Sequence, residues 1–260
     1  MIDGVLLDVD GVLVVSWEPI PGAVEALRWL REQGVPFRLV TNTTTVPRSR
    51  MAETLRAAGF DVAPEDLLTA PVATAAYLRA NHPGARCFLL GIEDIAEDLA
   101  GIDLVSDHAD VVVVAGADEA FHFDNLNRAF RMLLDGAALV AMQRNLSWME
   151  AAGPSLDAGA YLLGLEAAAG VAAVVAGKPS PDFFRSGLDL LGLPAQRVAM
   201  VGDDVEYDVL AAQAVGITGI LVRTGKFRPE HLERASGSPD HVVDSLADLP
   251  DLIERTRATA

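Results

Sequence analysis

Four short segments carry side chains whose types and spacing suit chemistry on an oxyanion. Asp8-Val9-Asp10-Gly11 sets two carboxylates two residues apart and follows them with a glycine. Such a turn can aim both acids into one small volume while backbone N–H groups face an incoming anion. Thr41-Asn42 supplies a hydroxyl and an amide. Lys178, in Gly177-Lys178-Pro179-Ser180-Pro181, sets a cation where two prolines stiffen the chain. Gly202-Asp203-Asp204 adds a second acid pair, with Asp208 further along. Each segment alone also suits an ordinary role: an acidic strand-end loop, a turn or helix cap, a solvated lysine, an N-capping acid. Asp208 reads as an orienting or capping acid of the helix that follows.

Brought together, the same acids have a different meaning. Like charges 4 Å apart repel by about 4 kcal/mol at an effective dielectric of 20, so Asp8, Asp10, Asp203 and Asp204 in one volume require a cation. Oxygen donors without thiolates or clustered imidazoles select a hard ion, and a site that also holds a phosphate favours Mg²⁺ over Ca²⁺. The histidines, at 82, 108, 122, 231 and 241, show no metal-ligand spacing.

The elements around these segments would bring them together. Short apolar runs ending in small or acidic residues alternate with helix-period segments, the pattern of parallel βαβ units. Strands are expected at 5–7, 36–40, 197–201 and 217–222, and helices at 22–33, 48–58, 182–191 and from Asp203 to about 214. In an open parallel sheet, ligands bind beyond the carboxyl ends of the strands, where Asp8, Thr41 and Asp203 all fall. A second alternating block has strands at 86–90, 111–114 and 139–142 and helices at 93–99, 125–134 and 161–169. It reads as an insertion, with joins near 80 and 173, and the chain closes on a helix at about 246–256.

Composition narrows the function class. With 20 basic and 37 acidic residues the formal charge is −17, and the overall field repels nucleic-acid backbones and anionic lipid. No basic block offsets it, so neither a nucleic-acid partner nor a membrane partner is expected. The longest nearly apolar run, 167–177, is 11 residues against the roughly 20 that span a bilayer. The first ten residues carry three Asp and no cation, unlike a secretory leader. A single cysteine, Cys87, allows no internal disulfide and fits a reducing, cytoplasmic setting.

The order Asp, Thr, Lys, Asp-Asp at strand ends is more specific than its parts. DVDGV, TN, GKPSP and VGDD, with room for a cap between the second and third, resemble the haloacid dehalogenase (HAD) superfamily and its phosphatases over nearly the whole chain. The likeness is to the NagD-like, C2-capped branch. Segments 117–121, 125–127, 156–161 and 222–229 are similar to those of its phosphatases for phospholysine, phosphohistidine and inorganic pyrophosphate. Thr43 stands where the NagD pattern has a second Asn.

The resemblance implies an α/β fold: a Rossmann-like core with a parallel sheet (1–79 and 174–260) and an inserted α/β cap (80–173). It implies a Mg²⁺-dependent phosphatase of a small phosphorylated metabolite, with pyrophosphate and P–N bonds within its chemical range. Asp8 would be the nucleophile and Asp10 the general acid and base. Thr41, Asn42 and Lys178 would hold the phosphoryl oxygens, and Asp8, Asp10, Asp203 and Asp204 the metal. The loop around 153–161, with Asp157 and Gly159, would meet the leaving group, the Asp118-Glu119 turn being a weaker candidate. A homodimer through the cap is common in this branch. A catalytically retired scaffold on the same fold is the competing reading. A phospho-receiver domain puts its acid pair before its acceptor Asp, and a dinucleotide-binding enzyme needs a G-x-G-x-x-G after its first strand; this sequence has neither feature.

Overall fold

A computed structural model describes residues 1–117, 119–150 and 153–258. By internal contacts the chain divides into two units: 1–41, 48–68 and 178–260 form one, and 42–47 with 69–177 the other.

The first unit is built on a six-stranded sheet in the order His241–Val243, Thr218–Val222, Val198–Gly202, Gly4–Asp8, Phe37–Thr41, Leu67–Thr69. Gly4–Asp8 and Val198–Gly202 are buried along their whole length, as strands covered on both faces must be, which is why they read as unbroken apolar runs. Gly4–Asp8 pairs in parallel with Val198–Gly202 on one side and Phe37–Thr41 on the other. The register aligns Leu7 with Val201 and Asp8 with Val40. Asp8, Thr41 and the start of the Asp203 loop therefore end on one sheet edge. Helix Ala23–Glu32 buries Ala23, Ala26, Leu27 and Leu30 at helical spacing, and the chain turns at Gly34 with φ +64°. Pro181 opens helix Pro181–Leu191, where its missing N–H has no cost.

The second unit has its own parallel sheet, in the order Val174–Val175, Ala138–Ala141, Val111–Val114, Arg86–Leu90, Asp103–Leu104. Alternate residues of Val111–Val114 face opposite ways: Val112 and Val114 join one apolar cluster with Leu139, Leu162 and Met132, while Val111 and Val113 join another with Leu78, Ile95 and Cys87. Helices Phe123–Leu134 and Ala158–Ala169 pack on the first face. A hairpin pairs Ser147–Glu150 with Gly153–Leu156.

Helix Ala70–Asn81, which the sequence pattern does not announce, groups with the second unit, as does Val174–Val175. The helix is alanine-rich, so its buried face carries little hydrophobic contrast, and its signal is instead an N-cap: Thr69 accepts from the Val72 N–H at 3.4 Å, with Pro71 in the first turn. The expected helix at 93–99 is a 3₁₀ run, Glu93–Leu99, a length at which an α-helix is poorly nucleated. The helix expected after Asp203 begins as a π-helical turn, Val205–Leu210. Among the described residues no helix is long and apolar enough to cross a membrane.

Candidate active site

The site forms where four chain segments of the first unit meet at the carboxyl edge of its sheet. Asp8 is the last residue of its strand and Thr41 the last of the neighbouring one, both buried. Asp203 follows the strand Val198–Gly202 directly. Lys178 enters from the loop ahead of helix Pro181–Leu191. The π-helical turn then swings Asp208 back toward the sheet, and Gly202 makes room for it: a Cβ on Gly202 would lie 2.3 Å from the Asp208 Cβ. Irregular helical turns of this kind are frequent at functional sites.

These side chains form a buried ionic cluster. Oxygens of Asp8, Asp203 and Asp208 lie within 4.8 Å of one another. The Lys178 Nζ sits 2.7 Å from Asp8 Oδ1 and 2.7 Å from Asp208 Oδ1. Exposure is 6% for Asp8, 4% for Lys178, 3% for Asp203 and 2% for Asp208, so bulk water cannot screen the charges. Three carboxylates against one buried ammonium leave an excess of two negative charges.

Protonation equilibria respond accordingly. Burial, with Asp208 and Asp203 adding to it, lifts the Asp8 carboxyl well above the usual range despite the opposing pull of Lys178. Burial first and Asp208 second push Asp203 up to about 6. Desolvation works against the Lys178 ammonium, but Asp208 and Asp8 outweigh it and raise its pKa. Without a further positive charge, this cluster favours taking up protons.

One atom shows where that charge fits. Asp203 Oδ2 accepts the Lys226 N–H at 2.7 Å, whereas Asp203 Oδ1 is buried and accepts no hydrogen bond. A buried, unpartnered carboxylate oxygen costs free energy unless something coordinates it. An oxygen-only donor set with a twofold negative excess suits a hard divalent cation.

The remaining sequence candidates are distributed as follows. Asp10 is exposed, just past the strand, in a turn where its backbone bridges to Val14. Asn42 is half-buried and follows Thr41. Asp204 caps the turn that follows: its Oδ1 accepts from the N–H groups of Glu206 at 3.1 Å and Tyr207 at 3.0 Å. Asp208, read from sequence as an orienting or capping acid, takes the place beside Asp8 and Asp203. In the second unit, Asp157 N-caps helix Ala158–Ala169, with Oδ1 accepting from Ala158 at 2.7 Å and Ala117 at 3.4 Å. Gly159 has a packing reason, since a Cβ there would lie 2.4 Å from the Arg144 carbonyl oxygen and 2.6 Å from that of Asn145. Asp118 lies outside the described residues.

Sequence reasoning missed Lys226 as a partner of Asp203. The signal was available: Thr224-Gly225-Lys226 follows the strand Thr218–Val222, so it leaves the same sheet edge as Asp8 and Asp203. The exposed Lys226 also feels the cluster: desolvation lowers its ammonium pKa, but Asp203, Asp8 and Asp208 together raise it.

Comparison with known proteins bears on this geometry. The haloacid dehalogenase-like hydrolase model matches residues 5–105, and a HAD-hydrolase-like model matches 175–249. The chain is 37% identical over 256 residues to phospholysine phosphohistidine inorganic pyrophosphate phosphatase of Mus musculus, covering 96% of this chain and 93% of that one. Among solved structures, p-nitrophenyl phosphatase from Archaeoglobus fulgidus superposes with a TM-score of 0.89 at 34% identity, covering 96% of this chain and 98% of that one. NagD from E. coli K-12 superposes with a TM-score of 0.87 at 27% identity, covering 95% and 98%.

Proposed function

The chain belongs to the haloacid dehalogenase-like hydrolases and is a phosphatase of that family, and from this premise we propose that it is a Mg²⁺-dependent phosphatase of small phosphorylated metabolites that works through an aspartyl-phosphate on Asp8. The observation that carries the reading is the buried Asp8–Lys178–Asp208 cluster beside the unpartnered Asp203 Oδ1.

In this reading Asp8, Asp203 and the Asp10 backbone carbonyl would hold the metal, with Asp204 orienting the loop. Magnesium, when bound, offsets the negative excess of the acids and draws charge from the phosphoryl oxygens. Asp8 must attack as a carboxylate, and the Lys178 ammonium at 2.7 Å favours that form. An Asp8 oxygen bonds to phosphorus as the bond to the leaving oxygen breaks, and Asp10 gives that oxygen its proton. Asp10 then takes a proton from water, whose oxygen attacks phosphorus and releases phosphate from Asp8. Covalent catalysis divides one difficult displacement into two easier ones. Lys178, the Thr41 hydroxyl and Asn42 hold the phosphoryl oxygens, fixed donors that need not reorganise during reaction. The exposure of Asp10 leaves it room to reach both a leaving group and water.

The 80–173 segment is proposed as the cap, with 1–79 and 174–260 as the core; the separate packing of two units supports an inserted cap, although helix Ala70–Asn81 and Val174–Val175 pack with the inserted unit. Pyrophosphate and P–N substrates stay within the reading because of what the mouse relative is named for. A homodimer through the cap is supported by Phe123 and Leu134, 78% and 59% exposed and eleven residues apart on one helix face. A cytoplasmic setting is supported by the lone, buried, unpaired Cys87.

The test is hydrolysis of p-nitrophenyl phosphate with and without Mg²⁺, by the parent chain and by Asp8→Asn. Turnover that requires the metal and disappears in Asp8→Asn is the expected result. No turnover by the parent over a broad range of pH and divalent metals would favour a retired scaffold instead.

A further inference from the structure

The loop that follows the strand Thr218–Val222 reaches the acid cluster with its backbone. Three contacts tie it there. The Lys226 N–H donates to Asp203 Oδ2 at 2.7 Å. The Thr224 hydroxyl donates to the Gly11 carbonyl oxygen. Gly225 and Gly11 close on the Asp203 carboxylate: a Cβ on either would lie about 2 Å from Asp203 Oδ2, at 2.1 and 2.0 Å. A Cβ on Gly225 would also meet the Gly11 Cα at 2.5 Å. Both glycines have positive φ, +60° and +82°, which side-chain-bearing residues adopt only with strain.

The result is a carboxylate with only one oxygen left to coordinate. Oδ2 is wedged between two glycine backbones and accepts an N–H, while Oδ1 is buried with no hydrogen-bond partner. Rotating Asp203 to exchange its oxygens would drive the other one into the same glycine wedge. The Thr224–Gly11 bond also joins this loop to the residue directly after Asp10. A single turn thereby sets the chain beside both acids.

We propose that Thr224, Gly225 and the Lys226 N–H form a positioning clamp that fixes Asp203 with Oδ1 presented to a divalent cation. The proposal rests on the metal reading of the preceding subsection. The clamp touches neither substrate nor cation; it acts through Asp203. Groups that orient a metal ligand change affinity by about 10–100-fold when removed.

The test measures Mn²⁺ binding to the full chain by electron paramagnetic resonance, with Mg²⁺ as competitor and no substrate present. Gly225→Ala is expected to weaken Mn²⁺ binding at least about tenfold. Thr224→Val, which keeps the side-chain shape and removes the donor, is expected to weaken it several-fold, and Thr224→Ser to restore it. That rescue separates a held hydroxyl from simple bulk, and urea denaturation of the metal-free proteins tests that they are equally folded. Thr224→Val and Gly225→Ala proteins that bind Mn²⁺ as tightly as the parent would overturn the clamp while leaving the metal site standing. A parent that binds no divalent ion would overturn the metal reading and the clamp with it.

Discussion

The Asp208 carboxylate holds the Lys178 ammonium at 2.7 Å with 2% and 5% of their side chains exposed. Asp208 Oδ2 accepts the Asp204 N–H at 3.3 Å, which locks the acid in that position. The amine that faces Asp8 is therefore aimed by a residue from a different segment of the chain.

Asp208→Asn removes one of the two carboxylates at 2.7 Å from the buried Lys178 ammonium and keeps the Asp8 contact. Breaking one side of a buried ion pair costs about 3–5 kcal/mol, and the surviving Asp8 contact puts the expected loss near the lower end. Urea denaturation measures it. An unchanged midpoint would show that the pair adds nothing to stability.

Asp203 makes the cluster sensitive to pH. Its folded-state pKa of about 6 is raised from 3.8, so the native protein holds this proton more tightly than the unfolded chain does. Stability from this group is present below about pH 4 and declines as pH rises toward 6. Asp203→Asn mimics the protonated form and should gain stability relative to the metal-free parent across that window. In the same range Mn²⁺ competes with the proton on Asp203, so its apparent affinity should rise as pH increases from 4 to 6. A metal affinity independent of pH between 4 and 6 would contradict this.

Asp157 separates capping from substrate contact. Asn also caps helices well, so Asp157→Asn should retain stability while Asp157→Ala loses about 1 kcal/mol. A capping role predicts an unchanged KM for p-nitrophenyl phosphate in Asp157→Asn. A several-fold rise in KM with no loss of stability would assign Asp157 to the leaving group.

Cys87 should be inert in the folded protein. It is 1% exposed, and burial, with Asp110 and Asp103 adding to it, pushes its thiol up to about 11. Almost no thiolate exists at pH 8, and the thiolate is the reactive form. Ellman's reagent is expected to titrate Cys87 only after guanidinium is added; rapid reaction with the native chain would refute this.

What the sequence determined by itself was the sheet and its edge. Largely apolar runs ending at Asp8, Thr41 and Gly202 announced buried parallel strands, because a strand covered on both faces has to be mostly apolar; Arg38 is the one charged residue among them before the strand ends. That put Asp8, Thr41 and Asp203 on one edge before any coordinates were needed, and the order of motifs placed Lys178 with them. Helix Ala70–Asn81 escaped because alanine-rich helices bury a face without hydrophobic contrast. The tertiary structure alone decided how the two acids after Gly202 divide their work: Asp203 faces the cluster while Asp204 caps the turn. It also decided that Asp208, five residues beyond Asp203, comes back to Lys178 through a π-helical turn, and that the Lys226 N–H and two glycines lock Asp203. Residue types and periodicity record which face of an element is buried. The direction of a carboxylate depends on how separate segments pack around it, and that arises only when distant parts of the chain meet.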